Sequence, residues 1–338
     1  MKDLLNMLKE LCALECISGR ESACAQDLIK IVGEYFDSSR VDSLGSVIFT
    51  KKSNKPNAKR MLIDAHLDEV GMMVCEIHDG GFLSVIPLGG LDTRVLPATE
   101  VTVYGEEKVY GVITSIPPHL SGKDNDSAPD FDNIYVDIGE NNDKIRVGDV
   151  VGFREGVTEM AFNRVASKGF DDKSCVCAIF DMIKNLDVKN LAYDLIVTIS
   201  AQEENGKSGP RQIAYDEKPD LAIVTDVNFA SGEGIDPTES IEIGKGASVD
   251  ISAITDRKLT KNIMKLLEEK NISFQKICEP RRTATNADGL GIAYTGVKTA
   301  VLSIPLASMH TPSEVVCLDD IKSMSEILNA IVCAEDLV

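Results

Sequence analysis

The sequence predicts an α/β fold: a mostly parallel sheet flanked by helices, interrupted by a small all-β, barrel-like domain. Three observations predict it. After Lys168, apolar β runs alternate with amphipathic helical stretches, the order that builds a sheet covered by helices. Between about Val70 and Arg154, short β runs are punctuated by Gly, Asp, Asn and Pro at the intervals of a barrel or sandwich. A chain of 338 residues, 43% of them hydrophobic, can bury the core of two such units.

In chain order, Met1 to about Glu15 reads as a helix. Ser18-Gly-Arg-Glu21 reads as a capping box leading into Leu28, Ile29, Val32 and Phe36 at helical spacing. A strand pair follows, Ser46 to Thr50 and Arg60 to Ala65. The β insert carries the runs GMMVCEI, GFLSVIPL, TEVTVYG, VYGVITSI, NIYVDIG and DVVGFR. The remainder reads as a helix from Ser174 to Leu186, strands at Asp194 to Ala201 and Leu221 to Thr225, a helix from Asp256 to Lys270, a strand from Thr299 to Ile304 and a helix from Asp319 to Glu335. Residues 1–70 and 155–338 are therefore expected to form one α/β domain around an insert at 71–154. No internal period is visible, which argues against a solenoid or propeller.

Composition narrows the classes of function. No run approaches the roughly 18 to 20 apolar residues of a membrane span, and the acidic start does not read as a signal peptide, so a cytoplasmic protein without membrane partners is expected. The formal charge of −19 disfavours nucleic acid, whose phosphates are attracted by Lys and Arg clusters. Nine scattered cysteines without a CxxC pair indicate neither a disulfide framework nor a thiolate zinc site.

In open α/β sheets ligands bind beyond the carboxyl ends of strands, and here four strands run into metal-competent side chains. MLIDA stops at His66-Leu-Asp68-Glu69, IVTISAQ at Glu203-Glu204, LAIVT at Asp226 and AVLSIPLASM at His310, while Asp171-Asp172 opens a helix. Two of only four histidines fall in this set; His78 and His119 lie in the insert. Two divalent cations need a bridging carboxylate, with an imidazole and a further carboxylate each, and two His plus three acids meet that need. Taken singly, each residue has a plainer reading: a strand-end Asp as a turn or cap, His66 as a satisfied core histidine, Glu203-Glu204 as a solvated loop. Adjacent carboxylates can also divide roles, one ligating and one moving protons. Asp68 is either a turn residue or the acceptor that orients the His66 imidazole.

Read together, the strings AHLDEVGMMV, KGFDDKSC, SAQEENG, VTDV and SIPLASMHTPSEVV resemble the tetrahedral, glutamyl and deblocking aminopeptidases of the co-catalytic metallopeptidase clan, some of whose members are labelled endoglucanase. PLGGLDTRV, GVITSIPPHL, YVDIG and IRVGD extend the likeness through the insert. The resemblance implies a zinc-exopeptidase-like fold and two divalent ions, zinc or cobalt. It implies that Asp171 bridges them, that His66 and Asp226 complete one site and Glu204 and His310 the other, and that Glu203 is the general base; Asp68, in its orienting reading, joins Glu203 as a catalytic candidate. It further implies a cis Asp171–Asp172 peptide and assembly of dimers into a dodecamer through the β insert. The family's usual Arg and Gly are replaced by Lys173 and Cys175, its Asp by Asn286, and its Arg-Tyr by Ala307-Ser308, changes expected around the substrate pocket.

The implied reaction is removal of the N-terminal residue from short peptides, with a metal-bridging water as nucleophile. Two alternatives stand beside it: a deacylase or amidohydrolase of the same clan, and a catalytically weak oligomeric binding protein that keeps the fold. A glycosidase needs a separate acid and base or nucleophile pair, which is not evident.

Overall fold

The computed structural model describes residues 1–117, 119, 128–154, 156–280, 282–293 and 295–338; within GVITSIPPHL, Pro118 and Leu120 lie outside them. The chain runs α1 (Lys2–Cys12), α2 (Ala25–Val32), β1 (Ser38–Val41), β2 (Val47–Lys51) and β3 (Arg60–His66), then β4 (Gly71–His78), β5 (Phe82–Leu88), β6 (Glu100–Tyr104), β7 (Lys108–Ile113), β8 (Tyr135–Asp137) and β9 (Val150–Phe153). It continues through β10 (Thr158–Glu159), β11 (Arg164–Ser167), α3 (Phe170–Asn185), β12 (Asp194–Ser200), α4 (Ser208–Glu217), β13 (Leu221–Phe229) and β14 (Ser248–Ser252). It ends with α5 (Arg257–Glu269), β15 (Gln275–Glu279), α6 (Ala287–Leu290), β16 (Lys298–Leu306), β17 (Glu314–Cys317) and α7 (Leu318–Val332).

The principal sheet has eight strands in the order β1-β2-β12-β3-β13-β16-β14-β15. The pairs β12–β3, β3–β13, β13–β16 and β14–β15 are parallel and the other three antiparallel. Its central strands are apolar on both faces, as a sheet covered twice requires. On β3, Met61, Ile63 and Ala65 join the core built with α1, α3, α5 and α7, whereas Leu62 faces the second core with Ile213 of α4 and Leu290 of α6. Strand alternation therefore sends Asp64 and His66 to the same face as Leu62, and Asp226 and Asn228 to the same face as Val224. A small antiparallel sheet, β10-β11-β17, packs beside the main one.

Strands β4 to β9 close into a barrel in the order β4-β5-β8-β7-β6-β9, every pair antiparallel. Its interior is a separate cluster including Met72, Val74, Leu83, Val85, Val101, Val103, Ile113, Val136 and Val151. Among the described residues, no helix is long and apolar enough to cross a membrane.

Several expectations need correction. Ser18 caps no helix: its hydroxyl reaches Asp68, and Glu21 starts only a short 3₁₀ turn before α2. The two early strands are not neighbours, because β12 inserts between β2 and β3. Asp226 does not end its strand, since β13 runs on to Phe229. Cys16 and Cys24, whose Cα atoms are 6.2 Å apart, form a disulfide, although their spacing matched no cysteine motif.

Candidate metal centre

Register brings the ligands level. His66, the last residue of β3, pairs with Ser200 at the end of β12, and Val224 of β13 pairs with Asp64, so that Asp226 falls beside His66 at the carboxyl ends of three adjacent strands. Glu203 and Glu204 follow β12 by three and four residues. Asp171 comes from the irregular first turn of α3, where Asp171 and Asp172 depart from helical geometry and the peptide between them is cis, as expected from the resemblance. Gly169 enters that turn at φ +65°, and a Cβ there would lie 2.0 Å from Glu69 Oε2. The position thus demands glycine on two counts.

The Asp171 carboxylate lies between the two histidines. Its Oδ1 is 2.9 Å from His66 Nε2 and its Oδ2 is 3.3 Å from His310 Nε2. Asp226 Oδ1 is 3.9 Å from His66 Nε2, and Glu204 Oε1 is 3.2 Å from His310 Nε2. The donor atoms of His66, Asp171 and Asp226 all lie within 4.8 Å of one another, as do those of Asp171, Glu204 and His310. Two triads sharing one two-oxygen residue, with imidazole and carboxylate donors in each, suit a pair of borderline divalent ions. The donor atoms of His66, Glu203 and Glu204 likewise lie within 4.8 Å of one another, which places Glu203 beside the same centre.

The imidazole of His66 is oriented from behind. Its Nδ1 donates to the backbone carbonyl of Asp68 at 2.9 Å; since a carbonyl only accepts, the proton sits on Nδ1 and Nε2 is the nitrogen aimed at Asp171. The expected partner was the Asp68 carboxylate, which lies 3.7 Å away and does something else. It accepts Glu203 N at 3.0 Å, Glu204 N at 3.1 Å and the Ser18 hydroxyl at 2.6 Å, fixing the acidic loop to the β3 terminus.

Electrostatics follow from packing so many acids together. Burial opposes the charge of Asp171, yet the hydrogen bonds and charges of His310 and His66 hold its carboxyl well below the usual range. Burial likewise opposes protonation of His310, but Asp171 and Glu204 raise it to about 11. Asp226 is pushed well up by burial and by the charge of Asp172. Metal binding here is therefore a competition with protons.

Two contributors escaped the sequence reading. Glu314 accepts His310 N at 2.8 Å and Asp171 N at 3.2 Å, so one buried carboxylate positions two candidate ligands; burial, then the charge of Asp171, pushes it up to about 8. Its spacing, four residues after His310, was the only available signal. Lys207 binds the carboxylate of Glu203 and, at 2.7 Å, the carbonyl of Ala284. Nearby, Glu69 is buried between Lys168 and Lys173, with Lys173 Nζ 3.0 Å from Glu69 Oε2 and 2.7 Å from the Leu14 carbonyl. Gln202, Lys207, Ser308 and His310 all have φ near +60°, a clustering of left-handed backbone typical of functional loops.

The centre opens into a cavity of about 1420 Å³ lined by His66, Asp171, Glu203, Glu204, Asp226, His310 and residues of the 277–292 segment. The departures from the family pattern do not surround it as expected. Lys173 and Cys175 are buried in α3, the latter donating to the Asp226 carbonyl at 3.1 Å. Asn286 is buried beneath the floor, its amide donating to Asp64 Oδ2 at 2.7 Å and Ser200 Oγ at 2.8 Å.

Comparison with known proteins places this chain among peptidases. The profile of the M42 glutamyl aminopeptidase family matches residues 45–327. A lysyl aminopeptidase of Pyrococcus furiosus is 30% identical over 335 residues, covering 96% of this chain and 95% of that protein. An aminopeptidase from the archaeon Desulfurococcus kamchatkensis superposes with a TM-score of 0.90 at 29% identity, covering 99% of this chain and 96% of the other. The TET1 peptidase of Pyrococcus horikoshii, described as assembling into a tetrahedron or a large octahedral shell, gives a TM-score of 0.84 at 27% identity, with 97% and 99% coverage.

Proposed function

The chain belongs to the M42 glutamyl aminopeptidase family, and from that premise we propose that it removes N-terminal residues from short peptides at a dinuclear centre, with Glu203 as general base. One observation carries the reading: the Asp171 carboxylate presents one oxygen to His66 and the other to His310, so two ligand triads share it. In this reading His66 and Asp226 hold one divalent ion, Glu204 and His310 the other, and Asp171 both. The ions, zinc or cobalt in this reading, would supply Lewis acidity and a water of lowered pKa.

The protein's own groups do the rest. Glu203 stands beside the centre without being required by either triad around Asp171, which frees its carboxylate to take a proton from water and return it to the leaving amine. Lys207 holds that carboxylate, and Asp68 holds the backbone behind it. Replacing Glu203 by Gln keeps the shape and removes the base. The expected result is full occupancy by two metals, measured by elemental analysis, with turnover of unblocked peptides reduced at least about 100-fold. Near-normal turnover would remove Glu203 from the role, and N-acylated peptides as controls report on a deacylase.

We also assign subunit contacts to the inserted β domain of residues 71–154. Ile86, Tyr110, Val112 and Ile116 leave apolar side chains exposed there, and the TET1 peptidase of P. horikoshii can assemble into a tetrahedron or a large octahedral shell. Light scattering is expected to give a mass many times the 36.6 kDa of one chain, a dodecamer in the simplest case. A monomer would refute it.

A further inference from the structure

The lining of the cavity outside the metal ligands is chemically mixed. Ile254 and Ile292, residues 39% and 69% exposed, offer aliphatic contact there. Glu279, the last residue of β15, lines the same cavity, close enough to Asp250 of β14 and to Asp288 to feel their charges. Asn228 fixes its distance from the chemistry. Asn228 lies two residues past Asp226 on β13, its side chain on the same face, and its amide donates to Glu279 Oε1 at 3.0 Å. Two residues along a strand span about 7 Å, so the carboxylate is reached from the Asp226 side of the centre by a linear chain of a few carbons.

We infer that this cavity selects peptides whose first residue carries a cation at the end of an aliphatic stem, lysine or arginine, and that Glu279 is the residue that recognises the cation. The inference rests on the aminopeptidase reading and specifies its substrate. Glu279 Oε2 is buried and has no hydrogen-bond partner among the described residues, so a substrate ammonium or guanidinium completes an otherwise unmatched acceptor. Burial, then the charges of Asp250 and Asp288, raises the Glu279 carboxyl to about 7 despite the Asn228 hydrogen bond, which marks the spot as one that a positive charge relieves. Lys207, a cation on the same cavity wall, is already engaged by Glu203 and the Ala284 carbonyl. Aliphatic and acidic lining in one cavity match the two-part character of a lysine side chain.

The test compares tripeptides X-Ala-Ala with X as lysine, its uncharged isostere norleucine, or glutamate, using the metal-loaded protein. Wild type is expected to show kcat/KM for lysine at least about tenfold above norleucine, the size of one hydrogen bond to a charged group. Glu279→Gln is expected to collapse that ratio, and Glu279→Lys to move the preference toward glutamate. A lysine-to-norleucine ratio unchanged in both variants overturns the inference, as does a wild-type preference for glutamate, which would assign recognition to Arg211 or Arg282 on the same cavity. Calorimetric binding of lysinamide and norleucinamide separates this from the parent reading. If no tripeptide is cleaved, tighter lysinamide binding that Glu279→Gln abolishes still supports the inference, and equal binding overturns it.

Discussion

At the scale of single residues, the centre depends on carboxylates that touch no substrate. Asp68 divides its labour: the backbone carbonyl sets the His66 tautomer, while the side chain gathers Glu203 N, Glu204 N and the Ser18 hydroxyl. Truncating the side chain leaves the carbonyl in place, so its effect falls on the acidic loop. In Asp68→Ala, affinity for the metal proposed at Glu204 and His310 is expected to fall about 10- to 100-fold, with a comparable loss of turnover, while the proposed site of His66 and Asp226 changes less. Competitive chelator titration resolves the two; equal loss at both sites, or at neither, contradicts the division. This arrangement was only half legible in the sequence. His66, Asp68 and the glutamate pair stand out as strand-end residues, but which atom of Asp68 serves which neighbour is set by the turn at 66–69 and by a loop more than a hundred residues away. Glu314 was illegible for the same reason, since it acts through backbone amides of Asp171 and His310 that only the fold brings to it.

Among the elements, the long apolar strands and amphipathic helices were readable because burial imposes a period on them. The six barrel strands and β3, β12 and β16 fall where alternation and turn residues place them, and β13 begins there but runs on to Phe229. What escaped was short or polar. Strand β14 carries the buried Asp250, whose acceptors are filled by Ser248, Ser303 and Asn228, so its sequence SVDIS does not look like a core strand. Helix α4 begins Ser-Gly-Pro, which reads as a turn. Its glycine has a specific reason: a Cβ on Gly209 would lie 2.4 Å from the Ala201 carbonyl oxygen and 3.0 Å from Ala201 N, at the point where β12 leads into Glu203. Gly209→Ala must therefore move either the helix or the strand end. It is expected to destabilise the protein by roughly 1–3 kcal/mol, as overpacking does, and to lower turnover with it. An unchanged midpoint of thermal unfolding together with wild-type turnover would show that the helix yields without consequence.

Over the whole molecule, 54 acidic side chains make the surface strongly anionic, but the acids that shape its stability are the buried ones. Asp250 is an instructive case because it lies off the metal centre and is fully enclosed by the sheet. Burial raises its carboxyl to about 6 from the ordinary 3.8, against the hydrogen bonds from Ser248, Ser303 and Asn228. The sign follows from proton linkage. Below pH 4 both folded and unfolded chains keep the proton and no penalty arises. As pH rises toward 6, the unfolded chain ionises while the folded one holds its proton, so stability falls through that window and then levels off. Two pH units of such a difference amount to about 3 kcal/mol at most. Asp250→Asn keeps the shape and removes the titration. In chelator, urea unfolding of wild type and Asp250→Asn between pH 4 and 7 is expected to show wild type losing ground to the variant steadily up to about pH 6, with the gap constant above it. Two parallel curves would mean that Asp250 ionises as readily in the fold as outside it, and that its three hydrogen-bond donors fully compensate for the water it has lost.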